Sequence, residues 1–326
     1  MPILDLPIEQ LREYRSVSPE PTDFDAWWAE QLEHLPEHTP LLSRQRVEAP
    51  FDLIEVEEVV FTGADGAPVR ALLTLPAGAV QSLRPLPGAV QLVGYGGGRG
   101  LPGQIPWYAM AGLAHLIVDP RGQGADWGGG GSTPDPGSAG AHAAGWVTDG
   151  ITDREAYYYR RAVLDSVAAV RLLQDLEEVD SARVATVGGS QGGGLALAAG
   201  ALADGVAAVC VDSPFISDIP RGIVMAEEGP YLEIVRYLRV HPEHEADVLA
   251  TCAYVDGVHF ASRLTAPLLV ATGLLDPVCP PSTAFAVHNA ATAASERRID
   301  VYPYGDHDGG SHRQVLAHCE WMRERL

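Results

Sequence analysis

The sequence predicts an α/β chain, a mostly parallel central sheet with helices on both faces, and three observations carry that prediction. Apolar runs such as PGAVQLV, LAHLIVD, RVATVGG, VAAVCVD and APLLVATG, with IDVYPY last, have the length and apolar content of strands buried on both faces. Helical stretches at 155–175, 191–203 and 282–293 lie between several of these runs, and strand–helix alternation builds a parallel sheet. Ahead of them LIEVEEVVFT and VRALLTLP flank the turn signal GADGAP, the pattern of a β-hairpin with a longer loop, which supplies antiparallel first strands.

The remaining segments decorate this sheet within one domain, 1–326. Residues 1 to about 45 carry short helical patterns. Phe24, Trp27, Trp28 and Leu32 fall on one helix face behind Asp23, so an N-terminal helical extension packed on the sheet is expected. The Gly-rich stretch 122–152 is too long for a simple connection, and loops of that length are usually functional. The segment 213–262, with aromatic-rich helical pieces such as YLEIVRYLRV, is expected to form a helical cap over the carboxyl ends of the strands, where such sheets bind ligands.

A formal charge of −21 argues against nucleic-acid backbones and anionic membranes, because an acidic surface gains nothing from a polyanion. The start of the sequence lacks the basic stretch and apolar core of a signal peptide, and no apolar run approaches membrane-spanning length. Cys210, Cys252, Cys279 and Cys319 show no CxxC spacing and suit reduced thiols, so a cytoplasmic location is expected.

Gly188-Gly189-Ser190-Gln191-Gly192 matches G-x-S-x-G between a strand (RVATV) and a small-residue helix (GGGLALAAGAL), the context of a nucleophile elbow. Glycines flank such a serine because side chains there collide with the neighbouring strand and helix. In the α/β-hydrolase fold an acid and a histidine follow in that order. Asp276 stands just past APLLVATG, and His307 just past the last strand. Either alone reads as a turn or loop residue; their joint register makes Ser190, Asp276 and His307 a candidate triad. His312 falls in the C-terminal helix, and Cys279, on no elbow, reads as packing or pocket wall. Gly98-x-Gly100-x-x-Gly103, with Asp119 beyond it, satisfies a dinucleotide fingerprint, but Pro102 and Pro106 interrupt the helix it needs. No HExxH, P-loop or EF-hand pattern occurs, so neither metal nor cofactor is expected.

The elbow GGSQGGG, Arg121-Gly122-Gln123-Gly124, GYGGGRG at 94–100, LLDPVCPPST, FDAWW and YYYRR together resemble carbohydrate esterase family 7, the acetyl xylan esterases and cephalosporin C deacetylases. The resemblance runs nearly end to end. It implies deacetylation of small acetylated substrates, with Ser190, Asp276 and His307 as triad and the backbone N–H groups of Tyr95 and Gln191 as oxyanion donors. It also implies a hexamer whose sites face an inner cavity. Phe215 and Val278 are expected in the pocket walls, and Arg121 and Gln123 are expected to hold the loop behind the elbow. Asp308 stands where the family usually has Glu, and Gly96 where Asn is common. A peptidase of the same fold and a binding protein that has lost its chemistry are the competing readings. The first usually carries a further large domain, and the second requires a broken triad.

Overall fold

The structure, a computed structural model, describes residues 5–79, 84–137 and 145–326. The strands are β1 (Leu41–Val47), β2 (Ile54–Thr62), β3 (Pro68–Pro76), β4 (Leu86–Leu92), β5 (Ala114–Val118), β6 (Val179–Gly189), β7 (Val206–Asp212), β8 (Leu268–Gly273) and β9 (Arg297–Tyr302). Among the described residues they form one sheet in the order β1-β2-β3-β5-β4-β6-β7-β8-β9. β1, β2, β3 and β5 pair antiparallel in succession, and every pairing from β5 through β4 to β9 is parallel. Strand order reverses at β4, so a crevice opens between the carboxyl ends of β4 and β6, where ligands bind in open α/β sheets.

The helices are α1 (Ile8–Glu13), α2 (Phe24–Glu33), α3 (Trp107–Met110), α4 (Tyr158–Asp175), α5 (Gln191–Leu202), α6 (Ile219–Met225), α7 (Tyr231–Val240), α8 (Glu245–Ala253), α9 (Gly257–Arg263), α10 (Pro281–Ala290) and α11 (His312–Arg325). Period-two alternation along the parallel strands feeds two cores. Val90, Val184, Val209, Leu268 and Val270 join the core under α4, α5 and α9, whereas Ala89, Ala185, Val187, Cys210 and Leu269 meet Tyr108 of α3 and Trp321 and Met322 of α11. Both faces are covered, as the continuous apolar runs required.

The predicted hairpin is β2–β3, in register from Ile54↔Pro76 to Thr62↔Pro68. The N-terminal expectation needs one correction. Its helices pack as foreseen, with Phe24, Trp27 and Trp28 buried against Tyr254 and Phe260, and Trp28 donating its indole N–H to the Tyr254 carbonyl (2.8 Å). Burying each such aromatic is worth ~1.5–3 kcal/mol. From Leu41, however, the chain is strand β1, an edge strand whose mixed exposure hides the period-two signal. Segment 213–262 is helical as expected, holding α6, α7, α8 and most of α9. Part of the Gly-rich stretch, 138–144, lies outside the described residues. The part that is described packs its backbone directly on 94–100: Gly98 N–H donates to the Trp127 carbonyl and Gly100 N–H to that of Gly129. A Cβ on Gly98 would lie 2.2 Å from the Gly129 oxygen, so loop-on-loop packing, not phosphate, accounts for these glycines. Asp119 is likewise committed, accepting from Arg99 Nη1 (3.0 Å) and the backbone N–H groups of Ser132 and Thr133.

Candidate active site

β6 delivers Ser190 to the crevice in a strained turn, φ 55° and ψ −123°, a conformation that non-glycine residues rarely adopt. Ser190 N–H donates to the Asp212 carbonyl (2.8 Å), and its own carbonyl accepts from Phe215 N–H (2.9 Å), so β7 and the chain after it hold the turn. The expected crowding is present. A Cβ on Gly188 would approach the Gly192 carbonyl to 2.3 Å, and one on Gly192 would meet the Leu92 oxygen at 2.1 Å.

Asp276 follows β8 with a fully buried side chain. Its Oδ1 accepts from the backbone N–H groups of Val278 and Cys279, both at 2.8 Å, and these fix the carboxylate. His307 follows β9, and its Nδ1 lies 3.0 Å from Asp276 Oδ2 and 3.1 Å from Oδ1, with the ring 31% exposed. The acid therefore holds one ring nitrogen and leaves Nε2 for the cavity. Ser190, His307, Tyr95, Trp127, Val278 and Asp308 line the same cavity of about 530 Å³, a size suited to a small ligand. His312 begins α11 against the Trp107 ring and is absent from this lining.

Two expectations sharpen and one is corrected. Gln123 is a hub: its Oε1 accepts from Gly96 N–H (2.7 Å), while its Nε2 donates to Tyr158 Oη (2.7 Å) and Gln191 Oε1 (2.9 Å). One amide thus ties the loop bearing Tyr95 to the residue after Ser190. Arg121, buried, donates to both oxygens of Asp165 at 2.7 Å and to Asp135, and these carboxylates hold its guanidinium firmly protonated. Phe215, expected in the pocket wall, is instead fully buried behind it, edge-on to Tyr95, Tyr159 and Tyr231. The elbow turn that draws Phe215 N–H to Ser190 carries its side chain into the core. Gly96 has φ 75°, and a Cβ there would meet Asp126 Oδ2 at 2.3 Å, so Asp126 fills the space beside it.

Glu233, Asp212 and His318 join the site with no sequence motif to mark them. Burial, with the Asp276 charge, holds the Cys279 thiol well above the usual range, hence protonated, and the Ser190 side chain opposes that shift only in part. Tyr95 Oη donates to Glu233 Oε2 on α7 (2.8 Å) and accepts from Trp146 N–H (2.5 Å). Burial raises the Glu233 carboxyl to about 7. A second pair stands beside the first: Asp212, at the end of β7 and lining the cavity, has Oδ1 3.0 Å from His318 Nε2, whose Nδ1 is 3.0 Å from Tyr108 Oη. An aspartate ending the strand next to the one that bears Ser190 was a usable clue; His318, inside a helix, offered none.

The family model described as Acetyl xylan esterase (AXE1) matches residues 1–325. The chain belongs to that family. Among solved structures, the acetyl xylan esterase from Paenibacillus sp. R4 superposes with a TM-score of 0.89 at 35% identity, covering 98% of this chain and 100% of that one. Acetyl xylan esterase 1 from Thermoanaerobacterium sp. JW/SL YS485 gives 0.87 at 31%, over 98% and 99%. The sheet with helices on both faces is thus the α/β-hydrolase fold shared with these family members. Acetyl esterase Axe7A of Xylanibacter ruminicola is 34% identical over 163 residues, half of this chain, and that match spans only 36% of the relative's length. No helix among the described residues is long and apolar enough to cross a membrane.

Proposed function

We propose that this family member is a serine esterase that removes acetyl groups from small acetylated substrates, acetylated xylo-oligosaccharides and cephalosporin C among them. The observation that carries it is the His307 Nδ1–Asp276 pair at 3.0 Å facing one cavity with a serine on a positive-φ elbow. His307 Nε2 takes the Ser190 proton as Oγ attacks the acetyl carbonyl, and Asp276 fixes the tautomer and stabilises the imidazolium. The negative oxygen of each tetrahedral intermediate sits between the N–H groups of Tyr95 and Gln191, the latter opening α5; losing one such donor typically costs ~3 kcal/mol of transition-state stabilisation. The tetrahedral carbon collapses to an acetyl-enzyme as the alcohol departs with the proton from His307, and water then attacks with the same base.

Helices α6–α9 act as the cap, since Gly229 and Pro230 line the cavity and Glu233 reaches Tyr95. A cytoplasmic location suits four unbridged cysteines. A hexamer suits the exposed apolar side chains Leu53, Leu101, Trp107 and Met110, and light scattering in solution tests it. Ser190→Ala should abolish release of p-nitrophenol from its acetate ester, and acetyl release from acetylated xylobiose should fall with it. Turnover near that of the wild type would overturn the assignment.

A further inference from the structure

Far from the triad in sequence, three side chains converge where α7 ends. His241 leaves the helix with φ −125° and ψ 63°, and Pro242 starts a tight turn through His244, closed by His244 N–H donating to the His241 carbonyl (3.1 Å). The turn brings His241 Nδ1 to 3.5 Å and His244 Nε2 to 3.8 Å from the same atom, Glu243 Oε1, and one ligand atom from each residue lies within 4.8 Å of the others. The two imidazoles lie parallel, centroids 5.1 Å apart and planes 10° from each other. His244 Nδ1 is 2.8 Å from the hydroxyl of Tyr237, which lies one helical turn before His241 on α7.

We propose that His241, Glu243 and His244 form a binding site for a divalent transition-metal ion, with zinc the best match. Four ligands at zinc distances of ~2.0–2.2 Å stand about 3.4 Å apart in a tetrahedron, close to the two separations present. Two imidazole nitrogens and a carboxylate oxygen are a zinc donor set, and a water completes it. Tyr237 accounts for the far nitrogen of His244 and so leaves Nε2 for the metal, the outer-shell contact that fixes a ligating ring. An ordinary solvated ion pair explains His241 beside Glu243. It does not account for a second imidazole, held from behind by Tyr237, with its Nε2 3.8 Å from the same oxygen. A net charge of −21 raises the local concentration of cations around the chain. The ion closes the corner between α7 and α8, and α7 is the helix whose other end carries Glu233 to Tyr95. No metal-binding motif marks the site in the sequence, because His-Pro-Glu-His follows no helical HExxH spacing; its geometry comes from the turn.

The test is zinc titration of the full-length, chelator-treated protein by calorimetry at pH 7.5, with cobalt(II) absorption as a second readout. The wild type should bind one zinc saturably and gain thermal stability with it. His241→Ala and Glu243→Gln should each weaken binding at least tenfold, and Tyr237→Phe by less, whereas His307→Ala should bind like the wild type. Absence of saturable binding, or equal affinity in His241→Ala, would overturn the site. Unchanged melting of the variants without metal confirms that folding is not what they lose.

Discussion

Two Asp–His pairs stand side by side at the carboxyl ends of the sheet, and they are built the opposite way round. In the pair His307–Asp276 the acid is fully buried and the ring 31% exposed; in His318–Asp212 the ring is 2% exposed and the acid 20%. Both have nitrogen–oxygen separations of 3.0 Å, so distance does not tell them apart. Accessibility does. A general base must offer a nitrogen to the nucleophile while its carboxylate stays dry and fixed, which only the first pair does. The second pair presents its carboxylate to the cavity and spends both ring nitrogens, on Asp212 and on Tyr108.

The sharpest way to break this comparison is to remove each acid. Asp276→Asn should lower kcat on p-nitrophenyl acetate by about 10⁴-fold, the loss expected when the base is held in the wrong tautomer. Asp212→Asn should cost no more than about tenfold there. If Asp212→Asn proves the more damaging, the assignment of the two pairs is reversed. Gln123→Ala strikes neither pair but frees the Gly96 N–H and the Gln191 side chain. It should lower kcat by about ten- to a hundredfold, the ~1.4–2.7 kcal/mol lost when buried hydrogen bonds are broken, with KM little changed. His318→Leu should leave Tyr108 and Asp212 without a partner and destabilise the fold by ~1–3 kcal/mol in urea titration, while kcat changes less than the Asp276 variant by orders of magnitude.

The smallest effect belongs to Glu233. Its carboxyl, raised by burial from the ordinary glutamate value to about 7, binds a proton in the folded state that the unfolded chain has already released. Stability from this group therefore falls as pH rises from about 4.5 to 7 and stays low above. Glu233→Gln should melt progressively higher relative to the wild type as pH goes from 5 to 8. A constant difference across that range would show that the carboxyl does not titrate there.

Much of the candidate site was legible in the sequence. The elbow was readable because glycine is the only residue that tolerates the approach of Gly192 to the Leu92 carbonyl, and the sequence records that demand directly. Asp276 and His307 were readable because chain order and strand ends are linear features. Phe215 was misplaced, and β1 was taken for helix, because neither the direction of one side chain after a turn nor an edge strand's pairing is periodic in sequence. The AXE1 family match and the order of the candidate triad thus rest on what the chain writes locally. The contrast between the two Asp–His pairs, Gln123 as the link between Gly96 and Gln191, and the convergence of His241 and His244 on Glu243 were decided only by folding. Each depends on which face of an element meets water or a partner distant in sequence, and that is a property of packing.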